Sequence, residues 1–289
     1  MRSSKFLAAC YLALCTPHLA QAADIAGAVQ NNGRAVDEDG GYFEIGFATG
    51  YLHMPYDTSQ EQETADLFIG IDASFEFRKK GFFTEVVQGT QDGLNLGYTL
   101  WHNNTWVVDF LAASMNRFYD PDLDNKIKPE DDEDTRNKKL YNRNSFYLGT
   151  GLRISHYLDE YVIQYRLVTD TLDDNGVIST LRLGRGWQYR NWNFHCILSA
   201  QYTSAKTNNY WFGVEQWQAT ERYPAFSPDS SLSYSAQFGL AKPLSEKWVA
   251  RLFTGWEQYP SEVRGSPFVD DSDGSYMAFT VSRVFSSGH

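Results

Sequence analysis

The sequence predicts an all-β protein: a single closed, antiparallel transmembrane β-barrel of about twelve strands, with short turns at one end and long loops at the other. Three observations predict it. Apolar residues recur at every second position over stretches of about ten residues. Aromatic residues reach 16% (18 Tyr, 19 Phe, 8 Trp), although the chain as a whole is polar. The connections between the alternating stretches run long and short in turn, except that only Gly89 to Asp92 join the third and fourth.

The first residues read as an address. Arg2 and Lys5 give a positive start, Phe6 to Cys15 form a short apolar core, and Ala20-Gln21-Ala22 supplies an A-x-A cleavage site. Residues 1–22 are therefore expected to be a secretory signal peptide, and 23–289 one barrel domain. An apolar core of about ten residues is too short for a membrane-spanning helix. Lipidation is not expected: Cys10 comes too early in the apolar core, and Cys15 follows Leu14 where a small residue is needed.

Alternation defines the strands. Leu67, Ile69, Ile71, Ala73, Phe75 and Phe77 share one face, opposite Asp66, Gly70, Asp72, Ser74 and Glu76. Trp192, Phe194, Cys196, Leu198, Ala200 and Tyr202 form a second stripe, and Leu232, Tyr234, Ala236, Phe238 and Leu240 a third. Read in this way, the strands fall near 42–53, 65–77, 81–88, 93–102, 105–116, 145–156, 159–168, 177–189, 192–203, 231–242, 246–258 and 275–285.

Short connections are read at Arg78-Lys79-Lys80, Asn103-Asn104, near Leu158, at Arg190-Asn191 and over Pro243 to Ser245. Others reach 28 residues at 117–144 and 27 at 204–230. That rhythm is the pattern of an outer-membrane barrel, with tight periplasmic turns and long external loops. A soluble β-sandwich would not require it. Closure follows from the solvent, because lipid offers no partner to the N–H and C=O groups of a sheet edge. An even strand count leaves both termini in the periplasm, and the expected location is the Gram-negative outer membrane.

Charge and cysteine content narrow the function. The net charge of −11 becomes about −13 without Arg2 and Lys5, which argues against nucleic acid as a partner. Beyond residue 22 the one cysteine is Cys196, so neither an internal disulfide nor a cysteine metal cluster is expected. With apolar stripes facing lipid, Glu44, Asp72, Glu76, Asp109, Arg153, Arg166, Arg182, Arg251 and Glu257 point inward. Mixed signs in a narrow lumen read as a salt-bridge network, with a polar channel lining as the alternative. Arg185 and Arg283 fall on the lipid-facing parity and need either a bulge or a snorkelling position near the interface.

Candidate chemistry is sparse. Catalysis by serine needs a histidine with an acidic partner within reach. His102 and His156 stand beside short turns, His53 has no obvious serine and acid on adjacent strands, and His195 is a lone inward residue. Asp120, Asp122 and Asp124 resemble the start of a calcium loop. Asn125 occupies the position where that turn needs glycine, and Lys126, Lys128, Arg136, Lys138 and Lys139 compete for the carboxylates. A solvated or disordered charged loop is the expectation there. Tyr210, Trp211, Phe212, Trp217 and Tyr223 in the second long loop suit packing over the barrel mouth or anchoring at headgroups, with ligand contact as the alternative. No catalytic, cofactor-binding or metal-binding residue is assigned, and no cofactor is expected.

Tyr210-Trp211-Phe212-Gly213-Val214, Glu221 to Phe226, the serine-led strand 231–241, Leu244 to Trp248 and the ending Phe279 to Phe285 resemble the MltA-interacting protein (MipA)/OmpV family. The likeness is good over about 207–285 and consistent in order from the first strand onward. It implies an outer-membrane barrel without enzymatic activity, similar to proteins that bridge a murein lytic transglycosylase and a penicillin-binding protein. Outer-membrane lipid and lipopolysaccharide are then its surroundings. A narrow passive channel for small solutes is the alternative function. No binding residue of the family maps onto this chain. Ser286 to His289 follow Phe285, whereas such barrels usually end on the aromatic itself.

Overall fold

Alternation of apolar and polar side chains becomes a closed sheet in the computed structural model, which describes residues 39–53, 65–86, 93–116, 126–141 and 147–287. Strands β1 (Gly40–His53), β2 (Ala65–Lys79), β3 (Phe82–Val86), β4 (Asn95–His102), β5 (Trp106–Asn116) and β6 (Tyr147–Leu158) form the first half. The second half comprises β7 (Tyr161–Asp170), β8 (Val177–Tyr189), β9 (Trp192–Thr203), β10 (Ser231–Pro243), β11 (Trp248–Gln258) and β12 (Asp273–Ser287). Among the described residues three helices lie in the long loops: α1 (Glu133–Tyr141), α2 (Ala205–Phe212) and α3 (Ser261–Arg264).

Each strand pairs antiparallel with its sequence neighbours, and β1 closes on β12 from Gly41↔Ser287 to His53↔Ser275. The expected all-β barrel and its twelve strands are therefore present. The expected signal peptide and Asp120, Asp122, Asp124 and Asn125 lie outside the described residues.

The barrel is inside out relative to a soluble protein. On β7, Tyr161, Ile163, Tyr165 and Leu167 face outward, while Val162, Gln164, Arg166 and Val168 are buried within. Phe47 is 73% exposed on the outer face of β1, whereas its neighbour but two, Glu44, is 1% exposed inside. Lipid would cover the first and never reach the second.

Turn chemistry explains the tight ends. Lys80 and Gly81 both take positive φ, 52° and 84°, and join β2 to β3 in two residues. Such a pair matches the twist of a hairpin, with glycine at no steric cost. The three-residue turn read at Arg78-Lys79-Lys80 is corrected accordingly, because Arg78 and Lys79 still pair with Phe83 and Phe82. At the β4–β5 turn, the Asn103 carboxamide oxygen accepts the N–H groups of Thr105 and Trp106, both at 2.9 Å. That local bond holds the turn without glycine. Register shifts interrupt β4–β5 and β5–β6 near Leu96, Thr99 and Leu111, not at Arg185 or Arg283.

Candidate functional site

The lumen is a packed polar core. Arg153 Nη1 lies 2.5 Å from Glu85, and its Nη2 lies 2.8 Å from Asp109. Asp109 also accepts the Thr99 hydroxyl at 2.8 Å. Arg78 bonds Glu76 at 2.8 Å and reaches within 3.7 Å of Glu85. The Phe83 ring lies between the two guanidiniums, 4.7 Å from Arg153 and 5.0 Å from Arg78. Further round the wall, Arg251 pairs with Glu44. Arg166 bonds Asn95 and Ser114, and Arg182 bonds the Gln164 side chain, which in turn donates to Ser155. Buried charges in this number are tolerated only when paired and hydrogen-bonded.

All nine residues read as inward lie on the inner face; Glu44, Glu76, Asp109, Arg153 and Arg251 form ion pairs there, and Arg166 and Arg182 bond amides and hydroxyls. Glu85 was missed in the sequence. On β3 the apolar residues Phe82, Phe83 and Val86 sit on both faces, so no stripe marks the inner side.

His195 lies inside, 1% exposed, with its ring against Phe253 at 6.3 Å and over Gly239. A Cβ on Gly239 would fall 2.2 Å from the ring, so the glycine makes room for the imidazole.

At the extracellular end a folded cap lies over the barrel mouth. Ser204 caps α2 by accepting the Thr207 N–H, and Asn208 ties the helix to the Asp229 carbonyl at 2.6 Å. The helix thereby drives Trp211 and Phe212 into the mouth. Trp211 stacks edge-on against Tyr147 at 5.9 Å, and Phe212 against Tyr259 at 6.5 Å. Val168, Ile178, Val263 and Val269 complete this apolar layer. Tyr147 sends its hydroxyl to the Gly176 carbonyl at 3.0 Å, which satisfies the one polar group it brings.

A second layer lies above. Leu140 of α1, Val214 and Tyr223 form its buried centre. Three bonds join α1 to the loop after α2: Thr220 to Asn137 at 2.6 Å, Glu221 N–H to Glu133 at 2.9 Å, and Arg136 to the Trp217 carbonyl at 3.2 Å. Residues 126–141 are thus a folded part of the cap that keeps most of its charged side chains in solvent, so the expected charged loop is solvated there but not disordered; 117–125 and 142–144 lie outside the described residues. Leu140 has 1% exposure because a surface from another loop covers it, and no local pattern announces that surface. Asp131 accepts Lys139 at 2.8 Å and Asp132 accepts the Thr135 N–H at 2.8 Å. The Lys139 bond holds Asp131 below the usual carboxylate range, and the Thr135 bond does the same for Asp132.

The aromatics of the second loop divide. Trp211, Phe212 and Tyr223 pack inward over the mouth, while Trp217 stays 44% exposed. Arg185 and Arg283 remain outward, and Arg185 reaches back 2.9 Å to Glu160 at the periplasmic turn, over the Tyr161 ring. Arg283 lies 4.8 Å over Phe285. Snorkelling, not a bulge, accommodates them.

At the outer rim His53 meets Asp271 at 3.2 Å, an acidic partner that the sequence reading did not find. Asp271 comes from the loop before β12, and Ser275 stands opposite His53 in the β1–β12 ladder. Asp271 is half exposed, and an exposed pair of this kind contributes little to stability. Among the described residues no group of three or more His, Cys, Asp or Glu is placed to hold a metal.

Comparison with known proteins adds relatives to this geometry. The family model for MltA-interacting protein MipA matches residues 45–285. Outer membrane protein Omp26La of Vibrio anguillarum is 30% identical over 84 residues, 29% of this chain and 33% of that protein. Outer membrane protein OmpV of Vibrio cholerae is 29% identical over 84 residues, with the same coverage. The matched stretch spans about a third of the length of either relative. Among solved structures, the CymD monoaromatic hydrocarbon channel covers 87% of this chain and 90% of its own at 10% identity and a TM-score of 0.37. A loop-deleted OmpT of Vibrio cholerae covers 86% and 100% at 7% identity and a TM-score of 0.36. Likeness at that level carries no argument about function.

Proposed function

This chain belongs to the MltA-interacting protein MipA family of outer-membrane barrels, and from that premise we propose that it is a non-enzymatic scaffold for murein-processing enzymes. Its partners on this reading are a lytic transglycosylase and a penicillin-binding protein, met at the periplasmic face. The observation that carries the proposal is the filled lumen. Arg153, Glu85 and Asp109 occupy the interior at 1–3% exposure, and Trp211 and Phe212 close the mouth above them. A barrel whose described interior is packed in this way offers its rims and outer surface for work. The family name adds an interaction with MltA, a lytic transglycosylase. Residues 1–22 serve as the export signal on the same reading.

The periplasmic turns are the surfaces to probe, because they are short, rigid and exposed. Photocrosslinking groups placed at Asn104, Asn191 and Ser245 in living cells are expected to capture a lytic transglycosylase or a penicillin-binding protein. Capture of assembly machinery and neighbouring barrels alone would overturn the scaffold reading.

A further inference from the structure

A cavity of about 570 Å³ opens at the periplasmic end of the wall, beside the β2–β3 turn. Phe77, Phe82 and Phe83 give it an apolar lining, and Asp39, Arg78 and Lys79 give it a polar edge. From its position and chemistry we infer that this cavity holds one anionic phospholipid of the periplasmic leaflet, with its phosphate at Lys79 and Lys80.

Arg78 is committed to Glu76 and Glu85, and its guanidinium lies over the Phe83 ring. The Asp39 carboxylate accepts the backbone N–H of Lys80 at 2.7 Å, which fixes the turn beneath the lysines. Lys79 and Lys80 are exposed, and neither ammonium has an acidic partner among the described residues. Two adjacent free cations at a rigid turn are a phosphate-binding arrangement, since each ammonium is a mobile point charge with three donors.

The apolar part selects a lipid over a peptide. Phe77 shares the outward parity of Leu67, Ile69 and Ile71, the stripe that faces hydrocarbon. Phe82 is 66% exposed on the same side and meets the Tyr98 ring edge-on at 4.8 Å. Because the turn is two residues long, Lys79 and Lys80 stand at the headgroup layer directly beside these rings. Phe77 and Phe82, the two outward rings, offer a surface for acyl chains, while Phe83 closes the cavity from the lumen side; the lysines stand where the phosphate of the same molecule would lie. Phosphatidylglycerol carries the net negative charge that phosphatidylethanolamine lacks, so the site distinguishes them.

The test uses the full chain in vesicles of phosphatidylethanolamine with a minor fraction of phosphatidylglycerol, followed by extraction and native mass spectrometry. Wild type is expected to retain one phosphatidylglycerol per barrel. K79Q/K80Q is expected to lose the preference over phosphatidylethanolamine, on the order of fivefold per lysine, with the barrel still resistant to unfolding in detergent at room temperature. F82A is expected to lower retention of both lipids, which separates chain packing from charge. Equal retention by wild type and K79Q/K80Q would overturn the site, as would the same loss produced by K247Q on another periplasmic turn. A photoreactive group at Phe82 that captures a protein instead of lipid would also overturn it. None of these readouts depends on a murein enzyme, so this site and the scaffold proposal stand or fall separately.

Discussion

Arg153 on β6 reaches past β5 and β4 to bond Glu85 on β3 at 2.5 Å, joining residues 68 positions apart in the chain. The same guanidinium donates from Nε to Asp109 at 2.9 Å, so one cation neutralises two carboxylates that are almost wholly buried. The interior of the barrel is organised around contacts of this kind, and removing the cation strands Asp109 and leaves Glu85 only the Arg78 contact at 3.7 Å.

Arg153→Met should therefore destabilise the barrel by about 3–5 kcal/mol, because it leaves buried Asp109 without its cation and Glu85 with only the longer contact to Arg78. Urea unfolding in detergent micelles would read the loss. Replacing Glu85 and Asp109 by Gln and Asn in the same background should recover much of it, since the uncompensated charges are then gone. A loss that the compensated variant does not relieve would assign the cost to packing of the guanidinium on Phe83 instead.

Gly239→Ala should cost about 1–3 kcal/mol, because the new methyl occupies the place of the His195 ring. His195→Ala in the same chain should relieve the clash. The two changes are thus expected to be non-additive in a double-mutant cycle. Strict additivity would mean that the glycine serves the backbone and not the imidazole.

Trp211→Ala should lower stability by about 3–5 kcal/mol by emptying the apolar layer against Tyr147. It should not create a pore, since the charged layer at Arg153 and Glu85 lies beneath the cap. In planar bilayers, wild type and W211A are both expected to be silent. Defined unitary steps from wild type would transfer the function to a passive channel for small solutes.

Acid should loosen α1 before it affects the barrel. Asp131 and Asp132 have folded-state pKa values below the ordinary aspartate value of about 4, so their contribution is complete above that value. It is lost as pH falls through the lower folded-state range. Amide exchange or limited proteolysis over 126–141 should accelerate in that window, and Lys139→Met should produce the same loosening of the Asp131 contact at neutral pH. Unchanged protection on acidification would show that Leu140 and the bonds from Asn137 and Glu133 hold the helix by themselves.

Much of this architecture is written locally. Ile69, Ile71, Phe194, Leu198, Tyr234 and Phe238 were assigned to the lipid face by alternation alone, because lipid demands one apolar side from every strand. The inward residues followed as the complement. Where alternation failed, as on β3, Glu85 was lost with it. His53 was judged without an acid because its partner, Asp271, enters from a loop and not from a strand.

By itself the sequence determined the barrel, its strand count, its orientation and the sign of each face, since each depends on the spacing of side chains along one strand and on loop length. Only the tertiary structure decided which charges meet and which loop residues pack over the mouth. The choice of Glu85 by Arg153 depends on closure and on the register of three successive ladders, which includes irregularities near Leu96, Thr99 and Leu111. The cap depends on α2 and α3 meeting in one apolar layer and on α1 meeting the loop after α2, surfaces that no single loop carries in its own pattern. Local periodicity fixes which way a side chain faces, and only closure of the chain fixes what it faces.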